Sequence, residues 1–312
     1  MSLSLQVKKF INSEHTGQYV DITLPNELPS ETKGKEDEDT QSMPRYETTR
    51  IHYLEEGTGE PLILLHTVGQ SLYTWRLVFQ RLSEHYRVIA LDLLGHGYSD
   101  RPISFGYTIR DHAESIRLFM DAMDIESAHF MAFSMGSAYV GQFAVDNPGR
   151  VGRILMIAPG GVSAEMPLPV RLIDSTIFGG IASMLYNRGT VRRILEDCFF
   201  DLTCVSEDMV QEYYKSASDL EGRRAIRSSL HFFDETALTK RIRELDTPIL
   251  IVRGGEDKWR TSEQTEELHT ILPDAGYSII RNAGHVVQEE KPDRVIASVL
   301  EFIPVVMPGQ QM

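Results

Sequence analysis

The chain has 312 residues, 42% hydrophobic and 24% charged, the balance of a globular protein with a sizeable core, which excludes collagen-like, coiled-coil and wholly disordered readings. A formal net charge of −14 works against phosphate-backbone binding, which draws affinity from clustered Lys and Arg, so no nucleic-acid partner is expected. Cys198 and Cys204 are too few for a disulfide framework, Met1 to Phe10 holds no apolar h-region, and no run reaches the ~18 apolar residues of a spanning helix, so the expectation is a cytoplasmic protein without membrane insertion.

Residues 1–47 read as an N-terminal extension, in which Val20, Ile22 and Leu24 alternate as one added strand ahead of an acidic loop from Glu31 to Asp39. Ile51 to Leu54 is a strand closed by Gly57 and Gly59. Leu62 to Leu65 is apolar on both faces, the pattern of a strand covered by helices on each side, and Arg87 to Leu91 repeats it after a helix through Leu77, Val78, Phe79 and Leu82. Ile109 to Met123 carries apolar residues at helical spacing, Ala128 to Phe133 is a strand, Ser137 to Val145 a helix and Val151 to Ala158 a strand. This alternation predicts an α/β fold with a mostly parallel central sheet flanked by helices, its first part spanning residues 48–162. From 163 to 244 the rhythm gives way to an inserted helical cap, with Val170, Ile173, Ile177, Ile181, Met184 and Leu185 forming one amphipathic stripe. The sheet pattern resumes over 245–312, with strands at Thr247 to Val252 and Gly276 to Ile280 and helices at Glu263 to Leu272 and Pro292 to Phe302.

Ser134 stands where a predicted strand passes into a predicted helix, with Ala132 two residues before it and Gly136 two after, the small residues that so tight a turn requires. On this fragment alone a helix-capping serine fits equally well. A serine hydroxyl needs a base to take its proton, and that base needs a carboxylate to orient it. Both follow in order: Glu256 and Asp257 after the strand ending at Val252, then His285 after the strand ending at Ile280. Each loop lies beyond the C-terminal end of a strand, where open α/β sheets gather ligands and reacting groups. No His-Glu-x-x-His spacing or glycine-rich phosphate fingerprint occurs, so neither a metal nor a cofactor is expected.

From Thr48 to Val305 the chain resembles an α/β-hydrolase with a helical cap. The resemblance implies a serine hydrolase with Ser134 as nucleophile, Asp257 as acid in preference to Glu256, and His285 as base. The run His66-Thr67-Val68-Gly69 is similar to the family's oxyanion loop, with Thr67 where glycine is usual; this assigns the amides of Val68 and Met135 to the oxyanion hole and a structural role to His66. Asp92 to Asp100 is similar to the family's loop after the fourth strand and reads as architecture, with Asp92 and Ser99 bonding backbone and His96 no metal ligand.

Serine rather than aspartate at the nucleophile position argues against epoxide and haloalkane hydrolysis, which in this family form an alkyl ester on a carboxylate. The expected reaction is cleavage of a carboxylic ester, lactone or related acyl bond of a small apolar molecule through an acyl-enzyme. The alternatives are a carbon–carbon bond hydrolase, lowered by Phe133 and Val286 where relatives carry Asn and Trp, a perhydrolase, and a hydrolase-fold receptor with little turnover. Phe178, Met184, Phe199, Phe200 and Trp259 are candidates for the substrate-binding wall, and a homodimer is left open.

Overall fold

The computed structural model describes residues 9–11, 13–26, 45–160 and 186–305. Eight strands form one sheet in the order β1-β2-β4-β3-β5-β6-β7-β8. They are β1 (Gln18–Asn26), β2 (Arg45–Glu56), β3 (Pro61–Leu65), β4 (Arg87–Leu91), β5 (Ala128–Phe133), β6 (Val151–Ile157), β7 (Ile249–Gly254) and β8 (Gly276–Ile280). β1 pairs antiparallel with β2, and β2 antiparallel with β4; every pairing from β4 onward is parallel. The strand anticipated around Val20 is thus the sheet's edge, nine residues long and in register with β2 from Gln18 opposite Tyr53 to Asn26 opposite Arg45.

The doubly apolar strands divide their side chains by the two-residue period of a strand. Ile63, Leu65, Ile89, Leu91, Phe130, Ala132, Ile154 and Met156 enter one core. Their neighbours Leu62, Leu64, Val88, Ala90, Met131, Phe133, Leu155 and Ile157 enter the other. Helices seal both faces, so a strand in the middle of this sheet has no polar side.

A single helical turn at Ser13–Thr16 precedes β1, and the helices that follow in chain order are α1 (Phe79–Leu82), α2 (Ile109–Ala122), α3 (Gly136–Asp146), α4 (Arg188–Cys198), α5 (Glu207–Lys215), α6 (Leu220–His231), α7 (Thr236–Arg241), α8 (Ser262–Ile271), α9 (Val287–Glu290) and α10 (Pro292–Phe302). α2 begins where its sequence supplies a reciprocal cap: the Thr108 hydroxyl accepts the Asp111 amide, and the Asp111 carboxylate accepts the Thr108 amide. The helix expected through Leu77 to Leu82 is shorter than its apolar content suggests, because a 3₁₀ turn at Leu72–Trp75 precedes a single turn of α1. α4 to α7 all lie between β6 and β7. The apolar stripe from Val170 to Leu185, with Phe178 and Met184, lies outside the described residues.

Candidate active site

β5 delivers its chain to Ser134 with a backbone φ of +51°, a left-handed conformation that a residue with a side chain adopts only where its surroundings impose it. Two bonds hold the turn to the neighbouring strand: the Ser134 amide donates to the Ile157 carbonyl at 2.9 Å, and the Ser134 carbonyl accepts the Gly160 amide at 2.9 Å. Gly136 opens α3 against the next loop, and a Cβ there would stand 2.6 Å from the His66 carbonyl oxygen and 3.0 Å from that of Leu65. Glycine is therefore the residue that lets the turn and the 66–70 loop share this space.

The loops after β7 and β8 bring two further groups to the serine. His285 Nε2 lies 3.2 Å from Ser134 Oγ, and His285 Nδ1 lies 2.9 Å from Asp257 Oδ2. The other Asp257 oxygen accepts the amides of Trp259 at 2.8 Å and Arg260 at 2.9 Å, so both oxygens of this buried carboxylate are engaged. Burial by itself would push the Asp257 carboxyl up, but the charge and hydrogen bond of His285 with those two amides outweigh it and leave the group below the usual carboxylate range. Glu256 points elsewhere: its carboxylate accepts the Ala283 amide at 3.0 Å, tying the two loops together. The imidazole is flanked by Phe133, ring centres 5.1 Å apart, and by Trp259, stacked at 5.6 Å with 27° between planes.

Residues that motif reading did not single out hold the histidine loop. The His285 amide donates to the Cys198 carbonyl at 2.7 Å, at the end of α4. The Glu290 carboxylate accepts the Phe200 amide at 3.0 Å and the Asp201 amide at 2.8 Å on one oxygen and the Gly284 amide on the other. A Cβ on Gly284 would stand 2.3 Å from the Cys198 carbonyl, so the two segments lie in close contact. Apart from the Glu290 carboxylate, these contacts are made by the main chain, which leaves little trace in residue type beyond the glycine. The Cys198 thiol is buried, and burial followed by the nearby charges of Asp257 and Asp197 pushes it well above the ordinary thiol range.

The 66–70 loop faces the serine from the other side. Thr67 to Gln70 form a turn in which the Gln70 amide donates to the Thr67 carbonyl at 3.2 Å, and the left-handed conformation falls on Gly69, with φ +78°. Val68 is half-buried on this turn. The Met135 amide at the head of α3 donates to Thr67 Oγ1 at 3.2 Å. His66 is fully buried, its Nδ1 donating to the Thr67 carbonyl at 2.7 Å and its Nε2 accepting the Leu93 amide at 3.0 Å. A ring that accepts on Nε2 must be neutral, and burial lowers its pKa accordingly.

Behind this loop the Asp92 carboxylate accepts from His52 Nδ1 at 2.7 Å and from the amides of Leu72 at 2.8 Å and Tyr98 at 2.9 Å. Ser99 accepts the His52 amide at 2.9 Å and donates to the Asp92 carbonyl. This loop is scaffold, as its sequence implied.

The candidate substrate-wall residues separate. Trp259 lies beside His285; Phe199 is buried in the core that also holds Phe133 and Val286; Phe200, one residue on, is 49% exposed. Sequence reasoning also passed over Arg260. A Cβ on Gly160 would lie 3.0 Å from an Arg260 guanidinium nitrogen and 3.1 Å from the Met135 amide nitrogen, which puts this cation next to the serine turn. Burial lowers its pKa, opposed by the charges of Asp257 and Glu235.

The sequence profile of the alpha/beta hydrolase fold matches residues 60–292, a span that contains Ser134, Asp257 and His285. The chain belongs to the alpha/beta-hydrolase family. This hydrolase is 31% identical over 273 residues to a soluble epoxide hydrolase of Corynebacterium sp. (strain C12), covering 81% of this chain and 93% of that one. It is 27% identical to a 2-hydroxy-6-oxo-6-phenylhexa-2,4-dienoate hydrolase of Comamonas testosteroni, covering 81% and 91%. Among solved structures it resembles a meta-cleavage product hydrolase from Pseudomonas fluorescens IP01, with a TM-score of 0.71, 26% identity, and 81% and 94% of the two chains covered. No helix among the hydrolase's described residues is long and apolar enough to cross a membrane.

Proposed function

We propose that this hydrolase is a serine acyl hydrolase that cleaves a carboxylic ester or lactone through an acyl-enzyme on Ser134. The observation that carries the reading is one continuous hydrogen-bonded line, Ser134 Oγ to His285 Nε2 at 3.2 Å and His285 Nδ1 to Asp257 at 2.9 Å. Asp257 accepts from Nδ1 and leaves Nε2 as the lone-pair nitrogen facing the hydroxyl, the tautomer that a general base requires. His285 takes the Ser134 proton as Oγ attacks the substrate carbonyl carbon, and the imidazolium that forms faces the Asp257 carboxylate. The tetrahedral oxygen receives hydrogen bonds from the Met135 and Val68 amides, each donor worth about 3 kcal/mol in comparable enzymes. His285 then returns the proton to the leaving alcohol, and a water activated by the same nitrogen releases the acid.

The epoxide hydrolase relative does not redirect this reading, because a hydroxyl at position 134 cannot form the carboxylate ester on which that chemistry proceeds within the family. Hydrolysis of a carbon–carbon bond is the second reading, favoured by the dienoate and meta-cleavage product hydrolases among the relatives. The helices between β6 and β7 serve as the cap in either case, with Trp259 on the site's wall. A cytoplasmic setting, in keeping with the unbridged Cys198 and Cys204, and a small-molecule substrate complete the reading.

The test is turnover of a short-chain nitrophenyl ester and of a 2-hydroxy-6-oxodienoate by the protein and by Ser134→Ala. Ester turnover that falls at least about 10⁴-fold in the variant supports the ester reading. Turnover of the dienoate alone moves the reading to the second, and unchanged ester turnover in Ser134→Ala overturns both.

A further inference from the structure

Thr67 occupies the position between His66 and Val68 in the loop that faces the nucleophile, and its hydroxyl oxygen is the acceptor of the Met135 amide at 3.2 Å. That amide is the donor which the acyl-transfer reading directs at the substrate oxygen. A side-chain oxygen therefore already stands at hydrogen-bond distance from the hole, where a water or a carbonyl would otherwise be.

The placement is rigid. The Thr67 carbonyl accepts from two directions, His66 Nδ1 at 2.7 Å and the Gln70 amide at 3.2 Å, which fixes the peptide carrying the side chain. Gln70 is in turn held by α5's end, since the Ser216 hydroxyl donates to its carbonyl at 3.0 Å. β-branching narrows the χ1 choices of threonine and adds to the stiffness. A hydroxyl has one hydrogen and two lone pairs. One lone pair of Thr67 Oγ1 is used by Met135, and its own hydrogen has no acceptor among the described residues. The loose hydrogen belongs to an oxygen already within reach of the Met135 amide, the group that must contact the developing charge.

We propose that Thr67 is a catalytic residue, its hydroxyl donating a third hydrogen bond to the oxyanion. In the free protein Oγ1 holds the Met135 N–H and keeps that donor satisfied. When Ser134 attacks, negative charge grows on the substrate oxygen; the fixed Met135 N–H is shared between Thr67 Oγ1 and that atom, and the Thr67 O–H donates to the same atom from the adjacent corner. No proton is transferred, and the tetrahedral oxygen gains three donors, the amides of Val68 and Met135 and the Thr67 hydroxyl. A charged acceptor makes these hydrogen bonds stronger than those to a neutral carbonyl oxygen, so the gain is largest in the transition state. This assignment rests on the acyl-transfer reading above.

The experiment compares Thr67→Val, Thr67→Ser and Thr67→Ala with the unaltered protein on a nitrophenyl ester, together with the inhibition constant of a trifluoromethyl ketone that forms a tetrahedral adduct. Valine keeps the shape without the hydroxyl, and alanine provides a second hydroxyl-free side chain should valine pack badly. The expected result is a fall in kcat of about 10²-fold for Val and Ala with KM little changed, ketone affinity lost in parallel, and serine restoring most of both. If Val or Ala turns over as fast as the unaltered protein, or faster, the hydroxyl merely plugs the hole and the proposal is overturned. A kcat loss without loss of ketone affinity also overturns it. Failure of the unaltered protein to hydrolyse the ester would instead remove the acyl-transfer reading, and this assignment with it.

Discussion

Glu290 accepts the amide of Gly284, the residue immediately before the proposed base, while its other carboxylate oxygen accepts the amides of Phe200 and Asp201. One side chain thereby joins the His285 loop to the segment leaving α4, and the His285 amide repeats the link by donating to Cys198. Glu290 touches no reacting atom, so it acts as a positioning residue: it decides where His285 Nε2 stands relative to Ser134 Oγ. Glu290→Gln keeps the shape but places an NH₂ against one set of backbone donors. The expected result is a kcat lowered about 10- to 100-fold with KM close to unchanged, because hydrogen bonds to a charged group are lost and a small displacement of a base is costly. Parallel slowing of fluorophosphonate labelling at Ser134 would tie the loss to the nucleophile. An equal change in kcat and thermal midpoint across Gln and Asp variants would mark the role as stability alone.

His66, His96 and His112 are all buried, in a row with ring centres 5.4 Å apart between the first pair and 6.5 Å between the second. Burial is the first cause that lowers each pKa, taking His96 to about 3 and His112 well below its ordinary value, with His66 lowered as well. These rings stay neutral in the folded protein below pH 6.5, whereas the unfolded chain takes up protons there. The unfolded state thus binds more protons, and stability present above pH 6.5 is lost as the pH falls below it, at about 1.4 kcal/mol per pH unit for each independent ring. His112 isolates the effect. Both its ring nitrogens are buried without a hydrogen-bond partner among the described residues, and the ring stacks on Tyr139 at 4.3 Å. His112→Phe is expected to flatten the dependence of the thermal midpoint on pH between 7 and 5, and to raise the midpoint more at pH 5 than at pH 7. A steeper dependence in the variant would contradict the sign.

Most of the sheet was readable because its strands are apolar on both faces and glycine or charge marks their ends. Leu62 to Leu65 and Arg87 to Leu91 declare themselves, since each residue has a core to enter. The single turn of α1 was overread as a longer helix, because apolar residues in a loop pressed on a core look like those of a helix. At the site, the strand ends point to Ser134, to His285 and to the pair Glu256 and Asp257, the family resemblance selects Asp257 from that pair, and the structure brings Ser134, Asp257 and His285 together. What could not be read are contacts made by the main chain or set by the direction of one side chain. The pairing of Glu290 with backbone amides across a loop, the Thr67 hydroxyl against the Met135 amide, and the opposite fates of adjacent Phe199 and Phe200 are of this kind. Residue type alone made both phenylalanines candidates for the pocket, but chain direction leaves one in the core and the other half in solvent.

Arg76 and Glu289 provide a stability test at the same junction. Glu289 is buried two residues after Val287 opens α9, and it accepts from Arg76 at 2.5 Å, from the Thr74 hydroxyl at 2.9 Å and from the Tyr213 hydroxyl of α5. Burial opposes the Arg76 charge, but the carboxylate and the neighbouring tyrosines Tyr73 and Tyr213 hold its pKa above the ordinary value. Both Glu289 oxygens are engaged and Arg76 also donates to the Tyr73 carbonyl at 3.2 Å, so removing one partner strands the other in a dry site. Arg76→Met is expected to destabilise the fold by about 3–5 kcal/mol in urea unfolding. The double variant Arg76→Met with Glu289→Gln is expected to recover a large part of that loss, because the stranded charge is gone while the packing remains. Additive losses in the double variant would show that Arg76 contributes through its stem packed on Tyr73, with the guanidinium 4.2 Å from the ring centre, and that the ion pair matters little.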